Sequence, residues 1–385
     1  MLRSDEFNLI AGDAEKLFAD LELDIIEEIA KRIMDTGIAN SVVEHSILVA
    51  QQMGLTYEEI IRLISKYTGM TQARIRNILK KAGIASINYD DAIYKMAGKA
   101  PASFLKTAYL QEMLDATAKN TAFSLNNLVM TTAIDARDQL YHVLNKAYLE
   151  VTTGVKSTQQ AILDAIDSID GPYVIYPSGK KMSVEAATRM TVLTSTNQMC
   201  GRMQLARAKE MGCNLMELTA HIGARVTPRN DYTNHSWWQG HIVSIEGKYK
   251  NYLTLEDIGY GTIEGFKGIN CRHDWRPYFE GLSRTYTQKE LDQLKNAKVE
   301  YNGKKIGYYA ATQKQRQMER TIRQNKKDIA KLKGILRSDN LEDREKVLQE
   351  LNQKESLLRK HNSVLDDFCK QTGIRKDNSR LVIQD

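Results

Sequence analysis

Cys213, His235, Cys271 and His273 are the residues on which chemistry would first be built. Thiols and imidazoles are the ligands of tetrahedral zinc, and Cys271-Arg272-His273 sets two of them almost side by side. No second close pair such as CxxC accompanies them, and no recognised spacing joins Cys213 to His235. A hydrogen-bonded Cys/His pair in a tight loop accounts for the same residues, so the sequence is read as binding no metal and no cofactor. A nuclease or hydrolase would draw its general base from His221, His235, His241 or His273 and its orienting carboxylate from Glu256, Asp257 or Asp274. Arg225, Arg229 and Arg272 could grip phosphate. Yet no triad spacing and no phosphate-binding glycine loop links these residues, which favours polar scaffold in a small β-rich fold over a catalytic centre. Trp237-Trp238, Trp275, Tyr278 and Phe279 could stack on bases if exposed. In a chain with only seven phenylalanines they read better as core.

All three tryptophans and four of the seven histidines fall between residues 221 and 275, so the elements around that stretch must position them. The expected class is α+β, mainly α. A helical region over 1–170 precedes a small α+β middle over 171–285 rich in β-hairpins, and a hairpin with long basic helices fills 286–385. In the first region Leu23, Ile26, Ile29 and Ile33 recur at helical spacing. Thr56 with Glu59 reads as a capping box opening a helix that Gly69 ends, Thr71 caps another that Gly83 ends, and Ala100-Pro101 interrupts the pattern. SLNNLVMTTAIDARDQLYHVLNKAYLEVTTG continues as helix, and STQQAILDAIDSIDG as a short capped one. The middle opens with a strand, a Pro-Ser-Gly turn and a cap at Ser183, and continues in the helix EAATRMTVLTSTNQMCGRMQLARAKEMG; GHIVSIEGKYK reads as a hairpin. Thr287 and Glu290 cap a short helix, and Asn302-Gly303 is a strong hairpin turn. Ile322, Ile329, Leu332 and Leu336 stripe one long helix, and Val347, Leu351, Leu358, Leu365 and Phe368 another at coiled-coil spacing. The pair reads as an antiparallel hairpin turning at Ser338-Asp339-Asn340, followed by a loosely held tail.

Hydrophobic residues make up 42% and charged residues 26% of 385, which excludes a disordered chain. Mean hydropathy is −0.45, no apolar run reaches membrane-span length, and the opening residues carry charge where a signal peptide would be apolar. Four scattered cysteines do not form a disulfide framework, so folding in a cytoplasm is expected. From Tyr286 onward, 23 basic residues face 15 acidic ones, a net +8 within a chain of net +6. A basic tail on a near-neutral body suits a polyanionic neighbour such as DNA.

An ordered series of short motifs ties these observations together. Arg189 and Thr194 lie on one helix, followed by Arg207-Ala208, Gly212 and His221. Gly223-Ala224-Arg225, His235, Trp238-Gln239-Gly240, Gly259-Tyr260-Gly261-Thr262 and Asn270-Cys271-Arg272-His273 come next, and Tyr308 to Arg323 closes the series. In this order, over roughly residues 150–335, the chain resembles the phage minor capsid proteins, which overlap with the Mu-F-type head morphogenesis proteins. The segment between Arg225 and Trp238 is longer than that family's compact proline-serine-histidine run. The toxin-like enzyme domain of some relatives has no counterpart here. The resemblance implies a structural, non-catalytic head protein of a tailed phage, built in the host cytoplasm and lying inside the capsid of the virion. Its expected partners are the portal and the major capsid protein, with packaged DNA against the basic C-terminal region, and no membrane or small-molecule substrate. The alternatives are a metal-dependent nuclease, which metal-dependent cleavage would reveal, and a DNA-binding module, marked by affinity falling steeply with salt.

Overall fold

The computed structural model of the chain describes residues 4–381 apart from 39–40, 177, 230, 342 and 379–380. Pro177 of the expected turn and the end of the expected tail therefore lie outside the described residues. The helical front consists of α1 (Ser4–Thr36), α2 (Val42–Met96), α3 (Ala108–Thr152) and α4 (Thr158–Asp167), with a 3-10 turn at Phe104–Lys106. Strands β1 (Tyr173–Ile175) and β2 (Lys181–Ser183) form a hairpin that leads into α5 (Val184–Glu210). Then follow β3 (Leu215–Leu218), α6 (His235–Trp238), β4 (Ile242–Ser244), β5 (Leu253–Thr254) and β6 (Trp275–Pro277). The chain finishes with α7 (Gln288–Lys295), the hairpin β7 (Lys298–Tyr301) and β8 (Lys304–Gly307), and two long helices, α8 (Tyr308–Leu336) and α9 (Arg344–Thr372). The molecule is thus mainly helical α+β.

The expected apolar stripe of α1 is buried at Ile26, Ile29 and Ile33, and Leu21, Ile25 and Ala30 are buried beside it. The face is broad because α1 is enclosed by α2, α5 and α8. Each such side chain contributes roughly 1.5–3 kcal/mol on burial. Against that, a glycine inside a helix costs only about 1 kcal/mol. This explains why α2 runs unbroken through Gly69 and Gly83, where the sequence predicts two stops. Thr56 lies buried in the helix interior and opens nothing; the true N-cap is Ser41, whose hydroxyl accepts from the Glu44 amide. Gly83 serves close packing instead, because a Cβ there would meet Met203 and Phe104 at 3.3 and 3.4 Å.

In the middle, β5-β4-β3-β6 is one sheet with β3 fully buried at its centre. Both neighbours of β3 are antiparallel to it, while β4 and β5 run parallel. The predicted GHIVSIEGKYK hairpin is therefore wrong: the chain leaves β4 through a turn and returns alongside in the same direction. Tyr94 of α2 and Ala208 of α5 belong to this second core, so two helices of the front also floor the sheet. The capping box at Thr287 and Glu290 and the turn at Asn302-Gly303 form as expected. Helices α8 and α9 pair antiparallel, with Gln315 against Cys369 and Asp328 bonded to Lys354 at 2.9 Å. No helix among the described residues is long and apolar enough to cross a membrane.

Helix α8 lies so close to α1 that a Cβ on Gly334 would overlap the Glu27 carbonyl oxygen. Gly334→Ala should lower unfolding free energy by about 1–3 kcal/mol, the usual cost of overpacking. Exposed Gly54 in α2 has open space around it, so Gly54→Ala should raise stability by about 0.5–1 kcal/mol. Urea unfolding of both variants checks the contrast; equal effects would contradict the packing described.

A buried histidine and cysteine cluster under a basic cleft

The cluster is assembled from three segments. His235 opens α6 at the end of the long loop, and Trp238 and Gln239 follow on that short helix and its cap. Cys271 and His273 come from the segment entering β6, and His221 from the turn leaving β3. The loop is tied internally: Asp231 accepts from the Thr233 amide at 2.9 Å, Asn234 donates to the Arg229 carbonyl, and the Trp238 indole donates to the Tyr232 carbonyl at 3.0 Å. Facing it, the glycine-rich turn over 259–268 is folded so tightly that a Cβ on Gly265 would overlap the Gly259 carbonyl oxygen. Arg225 staples the two together, donating to the carbonyls of Glu264 and Ile269 at 3.0 Å each.

His235, Cys271 and His273 are buried, and their donor atoms lie within 4.8 Å of one another. These three could hold a metal ion. Cys213, the fourth zinc candidate, lies outside the set: its thiol donates to the carbonyls of Leu215 and Tyr278. His273 packs edge-on to Trp238 at 4.7 Å, and His221 lies tilted against it at 4.2 Å. Burial pushes His221 and His235 down to about 4 and His273 well below its ordinary value, so all three imidazoles are neutral near pH 7.

The carboxylates suggested as catalytic partners are engaged elsewhere. Asp257 caps its own turn at Thr254, Glu256 is exposed, and Asp274 pairs with Lys267 at 2.7 Å. His241 bonds the Gln239 carbonyl. Above the cluster a cleft of about 430 Å³ is lined by His221, Arg272, Arg316, Glu319, Arg375 and Asp377 among others, so α8 and the segment after α9 wall it on one side. Gly223 fits beneath Tyr308, Gly240 under Leu291, and Ala224 is buried, which gives these motif residues a packing role. Gly261 turns with φ at +76°, its amide bonded to the Phe266 carbonyl. Trp238 and Trp275 are fully buried, while Trp237 is 37% exposed. Phe266 and Tyr260 complete the ring stack on Trp275.

Sequence reading missed Lys267. A lysine in GFKGIN looks like a solvated turn residue, yet it is buried with φ at +62°, bonded to Asp274 and, at 2.8 Å, to Asn197 of α5. Only its position between two glycines hinted at close packing. Asp90 sits buried at the same joint, held well above the ordinary carboxylate value by burial first and by Asp274 second. Arg207, fully buried, clamps α5 to the end of α2 through Asp91 at 3.1 Å and to the following linker through the Ala102 carbonyl at 2.8 Å.

The model of the phage minor capsid protein 2 family matches residues 2–362. A "Structural protein" of Lactococcus phage LL-H is 28% identical over 346 residues, covering 83% of this chain and 86% of that protein. A "Structural protein" of Lactococcus phage mv4 is 39% identical over 51 residues, 13% of this chain and 42% of that protein. No solved structure matches.

Removing one partner of a buried ion pair leaves an uncompensated charge at a cost of roughly 3–5 kcal/mol. Lys267→Met should therefore destabilise by about that amount, and Lys267→Met with Asp274→Asn by clearly less. A double-mutant cycle in urea checks it. A single-variant loss below about 1 kcal/mol would mean that the pair is solvated.

Proposed function

This chain belongs to the phage minor capsid protein 2 family, and from that premise we propose that it is a non-catalytic structural component of a tailed-phage head that docks on the portal. In this reading it is incorporated while the head assembles in the host cytoplasm, lies inside the shell, and has the major capsid protein as a further contact and packaged DNA beside it. In the same reading its role in the virion is structural, in keeping with the names of the similar proteins of phages LL-H and mv4.

The observation that carries the docking is an uncovered apolar stripe on α3. Phe123, Met130, Ile134 and Tyr141 are spaced seven, four and seven residues apart, which returns each to the same side of the helix. They are 66%, 40%, 42% and 45% exposed. The stripe runs about 27 Å at 1.5 Å per residue. The opposite side of the same helix, with Leu125, Leu128, Val129, Ala133 and Leu140, is buried in the front core. A helix apolar on both sides is suited to burial on both, and an exposed row of this length marks a protein contact. For DNA, the support is in the C-terminal helices, where Arg320, Lys333, Arg359 and Lys360 are exposed. Other positive charge is engaged within the chain: Lys327 of α8 pairs with Glu22, Lys331 donates to the Asp167 carbonyl, and Arg337 just past the helix pairs with Glu27.

Because these side chains are exposed, Phe123→Glu with Ile134→Glu should leave thermal stability within about 0.5 kcal/mol of the parent. The same pair should cut recovery with portal and assembled heads at least tenfold, on the order of the 1.4 kcal/mol or more that losing an apolar anchor costs. Heads carrying the double variant at parental level would remove the docking role of α3.

A further inference from the structure

The donor atoms around Cys271 are arranged for more than mutual hydrogen bonding. Each imidazole has one nitrogen committed to an oxygen that can only accept. His235 Nε2 lies 2.8 Å from the Glu264 carbonyl, so Nε2 carries the proton and Nδ1 the lone pair. Gln239 Oε1 receives the His221 backbone amide at 3.1 Å, which fixes that atom as oxygen. His273 Nε2, 3.3 Å from the same oxygen, must then donate, and its Nδ1 lone pair faces Cys271 Sγ at 3.8 Å. His221 Nδ1 bonds the Ile222 carbonyl at 3.0 Å, so its Nε2 is also bare, and it is buried with no hydrogen-bond partner. Two lone pairs, those of His235 and His273, thus meet one thiol in a set spanning 4.8 Å, each imidazole oriented through its far nitrogen as metal-bound histidines are.

We propose that His235, Cys271 and His273 bind one zinc ion, with the fourth position on the side of the cleft that His235 and His273 line. Ligands of tetrahedral zinc at about 2.0–2.3 Å stand roughly 3.3–3.8 Å apart. The 3.8 Å between sulfur and His273 Nδ1 already matches, and the 4.8 Å limit on the set leaves a closure of about 1 Å. As the sulfur–zinc bond forms, the thiol proton leaves to solvent, about one proton per ion bound. Mixed nitrogen and thiolate donors suit zinc over magnesium or calcium. The ion would join α6 to the segment entering β6, adding a bond to the packing of Trp238 on His273 and Phe266. The inference is independent of the docking reading, since portal binding by α3 requires no metal.

The test uses the full chain produced in zinc-supplemented medium. Elemental analysis should find about one zinc per chain after dialysis. After chelation, titration with cobalt(II) should give the visible bands of tetrahedral coordination and a thiolate-to-cobalt charge-transfer band. Cys271→Ser should lose the charge-transfer band, and Cys271→Ser and His273→Gln should each lose the zinc. Because the serine variant could fail to fold, the chelated parent provides a second readout: adding zinc should raise its melting temperature. A parent free of zinc with no charge-transfer band at stoichiometric cobalt overturns the proposal, as does a folded Cys271→Ser chain that retains its zinc.

Discussion

Helix α5 must satisfy two environments that want opposite things, and the middle of the molecule depends on how it does so. Toward α1, α2 and α3 it presents Val184, Val192, Met199 and Met203 to the front core. Along another side it carries Asn197, Gly201, Gln204 and Ala208, again at helical spacing. Asn197 donates to the Cys271 carbonyl at 2.9 Å and Gln204 to the Trp275 carbonyl at 3.0 Å. Gly201 leaves room for the Lys267 stem, whose carbons would lie 3.1–3.3 Å from a Cβ there. The buried backbone of an irregular segment needs such partners, because an unpaired carbonyl in the interior costs as much as a lost hydrogen bond. The sheet has too few rungs to supply them, and α5 does so instead.

That arrangement makes the His/Cys cluster a consequence of the joint. Cys271 is held through its carbonyl by Asn197, and Trp275 through its carbonyl by Gln204, so the residues between them, Arg272, His273 and Asp274, are fixed at both ends. Lys267 and Asp274 close the same stretch from inside. Part of the basic character of the C-terminal region is an internal matter too. Acidic Glu22, Glu27 and Glu28 of α1 meet Lys327 of α8 and Arg337 just past it, so the charge imbalance between front and tail partly cancels across a packed interface.

Periodic segments were legible in the sequence because burial and spacing coincide there: Ile26, Ile29 and Ile33 in α1, Ile322 and Ile329 in α8, Leu365 and Phe368 in α9. Local turn chemistry was legible where nothing overrides it, as at Thr287 and Asn302-Gly303. It failed in α2, where packing of both halves against α1 and α5 outweighs two glycines. The parallel pairing of β4 with β5 was hidden because Lys250 takes a positive φ of 49°, which no residue preference signals. Of the zinc candidates, Cys271, His273 and His235 proved to be neighbours, while Cys213 was grouped with them on residue type alone. The partners that orient them, Glu264 and Ile222 through their carbonyls, carry no side-chain signature at all.

The role proposed for this chain is to be held in the head through its helical front. Cross-linking of intact virions with a lysine-reactive reagent, followed by peptide mass spectrometry, tests it most directly. Exposed Lys119, one turn before Phe123 on α3, should join peptides of the portal. Links from Lys119 only to its own chain, or particles that lack the chain, would contradict the account.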